Sequence, residues 1–199
     1  MGYTYIDTGA MYRAIALYFL QHQIEEKEEE QVARALEQIQ LRFVKNAETG
    51  MPEMYLNGVN VEERIRGKEV AGKVSAVAAL PMVRAFAVQQ QQDMGKARGI
   101  VMDGRDIGTT VFPDAELKIF MTADPKIRAQ RRYEELKAKN HSVTFEEVYQ
   151  NLMERDAIDS SRAVSPLRQA PDALLLDNSH LTREQQLSQI MHWAQNIVE

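Results

Sequence analysis

Arginine is the residue type in this sequence best suited to chemistry on an anion, because a guanidinium presents coplanar N–H groups that match two oxygens of a phosphate. Of fifteen arginines, Arg128, Arg131, Arg132, Arg155, Arg162 and Arg168 fall between residues 124 and 168, and Arg13 and Arg105 each stand just beyond a strand-like run. The net charge is −5, from 24 Lys and Arg against 29 Asp and Glu. An acidic protein has therefore gathered cations near the carboxyl ends of its predicted strands, where α/β cores bind ligands. For Arg128, Arg131 and Arg132 the competing reading is surface ion pairing with Glu134, Glu135, Glu146, Glu147 and Glu154.

Two further patterns point the same way. Asp103-Gly104-Arg105-Asp106 places an acid, a glycine, a base and an acid directly after a buried-type strand. There Arg105 would grip a phosphate while Asp106 accepts hydrogen bonds from a ligand's amino group; a turn with one internal ion pair is the alternative. In Arg155-Asp156-x-x-Asp159-x-x-Arg162 the spacings of four and three put Arg155, Asp159 and Arg162 on one helix face, unless they only form an ion-pair ladder. Gly67-Lys68-Glu69-Val70-Ala71-Gly72-Lys73 imitates the phosphate loop G-x-x-x-x-G-K-[ST], but the eighth residue is Val74 and the segment has helical periodicity, so it is read as helix. His22, His141, His180 and His192 have no metal-ligand spacing, and there is no cysteine. Disulfides, thiolate nucleophiles and Cys-ligated zinc are therefore excluded.

The 199 residues, 44% hydrophobic and 27% charged, fit one globular α/β unit with small excursions. A negative net charge argues against a nucleic-acid coat. No apolar stretch nears the roughly 20 residues of a bilayer span, and no basic segment followed by an apolar one opens the chain, so a cytoplasmic protein is expected. Thr4-Tyr5-Ile6 reads as a strand ending at Asp7-Thr8-Gly9, followed by a helix with Met11, Ile15, Tyr18 and Phe19 at helical spacing. The acidic run at 25–30 reads as a solvated helix start before Val32, Leu36 and Ile39. Residues 41–61 alternate and contain Asn57-Gly58, which predicts an antiparallel meander.

A helix from about residue 67 is kinked or restarted at Pro81. Strands near 100–102, 117–121 and 173–176 are apolar enough to be buried on both faces, as parallel strands are. Between the last two, Asp124-Pro125 and Thr144-x-x-Glu147 open helices; Thr182-x-x-Gln185 opens a last one with Leu187, Ile190, Met191, Ala194 and Ile197 inward.

Three motifs in order and spacing resemble bacterial cytidylate kinases: Tyr5-Ile6-Asp7-Thr8-Gly9-Ala10-Met11-Tyr12-Arg13, Asp103-Gly104-Arg105-Asp106-Ile107-Gly108-Thr109, and Arg155-Asp156 through Arg162-Ala163-Val164-Ser165-Pro166-Leu167. The resemblance covers essentially the whole chain. It implies ATP-dependent phosphorylation of CMP and dCMP to the diphosphates, with Mg²⁺, by a transferase that works as a monomer. The implied fold is α/β: a P-loop NTPase-like nucleoside monophosphate kinase core with a parallel sheet (1–40, 67–123, 169–199), a small antiparallel nucleotide-binding β insert (41–66) and a helical lid (124–168).

By resemblance Arg13 and Arg105 hold the CMP phosphate and Thr8 lies beside the nucleotide. Ser75, Arg84 and Asp106 read cytosine, Arg155 and Asp159 contact the sugar, and Arg162 reaches from the lid toward base or phosphoryl group. Arg13, Arg105, Arg155 and Arg162 are thus the implied catalytic set, and Arg128, Arg131 and Arg132 face ATP. Family members begin with a strand, a glycine-rich phosphate loop and a helix, none of which is found in this sequence. The expectation is an amino-terminally truncated cytidylate kinase, without the first strand and P-loop, whose sheet keeps unpaired edges and which by itself does not turn over ATP. The alternatives are a non-catalytic pyrimidine-nucleotide-binding or interaction module, and a kinase for another nucleoside monophosphate.

Overall fold

Strand β1 (Thr4–Asp7) passes straight into helix α1 (Thr8–Gln21), because Asp7 ends the strand in extended backbone and caps the helix, its Oδ1 accepting the Ala10 N–H at 2.9 Å. The coordinates are a computed structural model that describes residues 2–139 and 142–198. From Ala14 to Phe19 every α1 side chain is buried. A helix apolar on all sides belongs in the centre of a core, and α1 is that centre. Helix α2 (Glu29–Glu37) starts at the acidic run, with Glu29 and Glu30 in its first turn and Val32 and Leu36 buried.

The predicted meander is present as β2 (Leu41–Lys45), β3 (Pro52–Leu56) and β4 (Val59–Asn60), an antiparallel sheet. Asn57 (φ +50°) and Gly58 (φ +81°) form the two-residue turn joining β3 to β4. A short 3₁₀ turn, Arg64–Arg66, leads to α3 (Lys68–Ala79) and then α4 (Pro81–Gly95). Pro81 begins a new helix, and the two are bent by 94°. Among the described residues no single helix is long and apolar enough to cross a membrane; α3 and α4 reach that length and composition only together, across their bend. Val70, Val74, Val77, Val83 and Ala87 of this pair pack into the same core as α1, α2 and the inner face of the meander.

Strand β5 (Ile100–Asp103) pairs with β1 in parallel, Asp7 opposite Asp103. After a π-type turn at Ile107–Val111 come β6 (Ile119–Thr122), α5 (Pro125–Ala138), α6 (Phe145–Ser161), β7 (Leu174–Asp177) and α7 (Arg183–Val198), with β6 and β7 parallel. The predicted caps hold: Asp124 accepts from Lys126 and Ile127, and Thr144 and Glu147 form a reciprocal capping box.

Two expectations are corrected here. The parallel strands are not buried on both faces, since Val101, Met121 and Leu175 are each about half exposed. Double burial needs neighbours and helices on both faces, whereas β1–β5 and β6–β7 are separate two-stranded ribbons. The apolar stripe of α7 is likewise not inward throughout, with Leu187 60% and Ile197 44% exposed. Helical spacing sets which residues share a face; it does not supply a surface to cover them.

Candidate active site

The carboxyl ends of β1 and β5 stand side by side, and the chain leaves each of them toward one cavity. Tyr5 donates its hydroxyl proton to Asp103 Oδ1 at 2.8 Å, and Thr8 Oγ1 donates to the Asp103 carbonyl at 2.7 Å. The loop after β5 passes so near α1 that a Cβ on Gly104 would stand 2.5 Å from Thr8 Oγ1 and 2.8 Å from Ile107 Cδ1. Only glycine allows this approach. Beyond it the next two side chains diverge. Arg105 reaches α6, its Nε donating to Asp159 Oδ2 at 2.9 Å, while Asp106 turns into the interior and pairs with Arg84 of α4. Both members of that pair are almost fully enclosed, Arg84 1% and Asp106 4% exposed.

The cavity between these elements has a volume of about 140 Å³ and is lined by Asp7, Thr8, Gly9, Tyr12, Arg13, Val74, Ser75, Ala78, Arg84, Asp103, Gly104, Arg105, Asp106, Arg155, Asp159 and Arg162. Five guanidinium groups therefore share one hollow. Arg13 is held by Asp7 at 2.9 Å, and Asp159 takes Arg162 at 3.2 Å as well as Arg105. The Arg84 guanidinium carbon lies 5.4 Å from the centre of the Tyr12 ring, within cation–π range.

The electrostatics of this lining favour an anion. Burial lowers the pKa of Arg13 against the pull of Asp7; burial, with Arg105 as neighbour, lowers that of Arg155; and burial, with Arg84 as neighbour, lowers that of Arg162. Burial also pushes the Asp103 carboxyl up. Arg13 Nε, Arg84 Nε and Arg162 Nη2 are buried without a hydrogen-bond partner among the described residues. Crowded, desolvated cations with donors to spare are what phosphate oxygens satisfy.

The family model for cytidylate kinase matches residues 1–196. The chain belongs to the cytidylate kinase family. It is 61% identical over 189 residues to a cytidylate kinase of Parabacteroides distasonis, spanning 94% of this chain and 82% of that protein. Cytidylate kinases of Bacteroides fragilis and Flavobacterium psychrophilum are 55% and 52% identical, over 100% and 99% of this chain and 88% of each of those proteins. This is a family of nucleotide kinases, and the α/β architecture with parallel strands is consistent with a nucleoside monophosphate kinase fold.

Within that frame, Thr8, Arg13, Ser75, Arg84, Arg105, Asp106, Arg155, Asp159 and Arg162 all line the one cavity, although they come from α1, α3, α4, the loop after β5, and α6 with its cap. No ion pair closes within Asp103–Asp106, because Arg105 and Asp106 each find a distant partner. The ladder on α6 exists in the Asp159–Arg162 pair, yet the same side chains face the cavity. Arg128, Arg131 and Arg132 are not brought there. Arg128 pairs with Asp156 at 2.5 Å, Arg131 donates to the Asn178 and Ser179 carbonyls at 2.8 and 3.1 Å, and Arg132 pairs with Glu135 at 2.7 Å. The phosphate-loop lookalike lies inside α3, apart from its leading Gly67, which precedes the helix.

Sequence reasoning missed Asp7, Tyr12 and Asp103 as lining residues. Tyr12 stands four residues after Thr8, one helical turn along the same face, a signal that was present. The facing of Asp7 and Asp103 follows only from strand register. No three His, Asp or Glu side chains form a metal-ligand set among the described residues, and His141 lies outside them.

Proposed function

We propose that the cavity is the nucleoside monophosphate site of a cytidylate kinase: CMP or dCMP binds there and receives the γ-phosphoryl group of ATP, giving CDP or dCDP. The observation that carries this reading is the convergence of Arg13, Arg105, Arg155 and Arg162 on one hollow whose wall is the buried Arg84–Asp106 pair. Arg13 and Arg105 would hold the phosphate and Thr8 would lie beside the nucleotide. Ser75, Arg84 and Asp106 would read the base, Arg155 and Asp159 the sugar. A site built around such paired polar groups rejects a base that leaves them unpaired, by as much as about 10⁴-fold.

In the transfer an oxygen of the CMP phosphate displaces ADP from the γ-phosphorus, so catalysis is mostly positioning and charge stabilisation. The catalytic set would be Arg13, Arg105, Arg155 and Arg162, fixed cations that bring two anions together. Residues 124–168 would act as a lid, carrying Arg155 and Arg162 on the monophosphate side and Arg128, Arg131 and Arg132 toward ATP, their present ion pairs exchanging for phosphate oxygens. Residues 41–66 would be the nucleotide-side insert and the remainder the core. Mg²⁺ finds no ready ligand set among the described residues; the ion commonly binds through nucleotide phosphates, waters and one or two carboxylates.

The sequence of residues 1–199 contains no G-x-x-x-x-G-K-[ST] loop. We infer that these residues alone bind the monophosphate without useful ATP turnover, since losing even one preorganised donor costs about 10² to 10³ in rate. Calorimetric titration with CMP, dCMP, UMP and AMP tests the site, and CDP formation from ATP tests turnover. Preferential binding of the cytidine nucleotides with no CDP formed is the expected result. Equal affinity for all four would overturn the base assignment, and CDP production by this polypeptide would overturn its inactivity.

A further inference from the structure

Arg13 owes its aim to a chain of polar contacts that begins outside the cavity. The backbone N–H of Met54, in the middle of β3, donates to Glu62 Oε2 at 3.0 Å. Glu62 Oε1 accepts from Arg66 Nη2 at 2.6 Å and Nε at 3.1 Å. Arg66 Nη2 also donates to Asp7 Oδ2 at 3.0 Å, and the same oxygen accepts Arg13 Nη2 at 2.9 Å. Asp7 is fixed from its other side, where Oδ1 caps α1. The pair lies close to Gly9, whose Cβ, if it had one, would stand 3.0 Å from both Asp7 Oδ1 and Arg13 Nη1. An unbroken relay thus runs from the meander to a cavity arginine.

Arg66 is half exposed and does not line the cavity; two of its three nitrogens are engaged by Glu62 and Asp7. A carboxylate held by two guanidinium groups and a helix N-terminus has little freedom to swing, and a side chain locked by such supporting contacts holds its geometry better than one left to packing.

We propose that Arg66 and Glu62 are positioning residues for the phosphate end of the monophosphate site: through Asp7 they set the direction of Arg13 and link it to the β2–β3–β4 sheet. This rests on the monophosphate reading above. It predicts a loss confined to ligands that carry a phosphate, and exerted through Arg13. CMP and cytidine are the probes, the second at millimolar concentration by NMR titration.

Arg66→Gln is expected to weaken CMP binding about tenfold, within the coupling range of residues sharing one network, and to leave cytidine binding unchanged. Arg66→Lys should recover part of the loss. In an Arg13→Gln background, Arg66→Gln should add nothing. An equal loss of cytidine affinity would show a general structural role and overturn the proposal, as would an undiminished loss in the Arg13→Gln background. If the unsubstituted chain binds no CMP, the monophosphate reading itself falls and takes this one with it; CMP binding with either contrary result overturns the positioning role alone.

Discussion

Asp106→Ala should be among the most damaging single substitutions in this protein. Arg84 is enclosed, its side chain 2% exposed, and its guanidinium has the Asp106 carboxylate, one weak contact to the Ala78 carbonyl at 3.3 Å and the Tyr12 ring at 5.4 Å. Arg162 is a nearby charge of the same sign. Removing the carboxylate leaves a buried cation with a single neutral acceptor, a situation that costs about 3–5 kcal/mol. That is a large share of the roughly 5–15 kcal/mol available to an ordinary domain. Urea unfolding followed by circular dichroism measures it, with the m-value checked for constancy so that the midpoint shift reports stability. Arg84→Met combined with Asp106→Val removes both charges and fills the space, and because a packed apolar pair is often neutral against a buried ion pair, the double variant should recover most of the loss. A cost below about 1 kcal/mol for Asp106→Ala, well under the usual range for a broken buried pair, would show that Arg84 does not depend on this carboxylate. So would a double variant no more stable than the single one.

Two further outcomes follow from the same loop. Gly104→Ala would drive a methyl group to 2.5 Å from Thr8 Oγ1, so thermal denaturation should show a loss of about 1–3 kcal/mol, typical of overpacking, together with weakened CMP binding as the Thr8–Asp103 contact shifts. Partial desolvation pushes the Asp103 carboxyl up although the residue keeps an exposed surface, so folding favours the protonated acid by a small, solvent-screened amount, and this contribution is lost as pH rises through the raised value. Asp103→Asn keeps an acceptor for Tyr5 and should melt higher than the parent at neutral pH, the gap closing toward about pH 4, where an ordinary Asp titrates; a gap that does not vary with pH would contradict this.

Much of this organisation was legible along the chain because its causes are local. Asp7, Asp124 and Thr144 cap helices through atoms two or three residues away, and Asn57-Gly58 makes its turn from its own backbone preferences. The three family motifs hold seven of the nine residues that the fold gathers round one cavity; Ser75 and Arg84, named by the resemblance, lie outside them. Burial was less legible. The apolar runs of β5, β6 and β7 and the stripe of α7 identified strands and a helix, but exposure depends on what packs against them, and Val101, Leu175 and Leu187 remain open.

Element types and their order, the caps and turns, and the presence of several cations in an acidic chain were readable along the chain, since each depends on side-chain chemistry and on neighbours a few positions away. Which partner each cation takes was settled by folding. Arg84 and Asp106 are 22 residues apart, Arg105 and Asp159 54 apart, and Arg66 and Asp7 59 apart. Strand register and helix packing bring such groups within hydrogen-bond reach, and no periodicity or spacing encodes a contact between segments that meet only when the chain is folded.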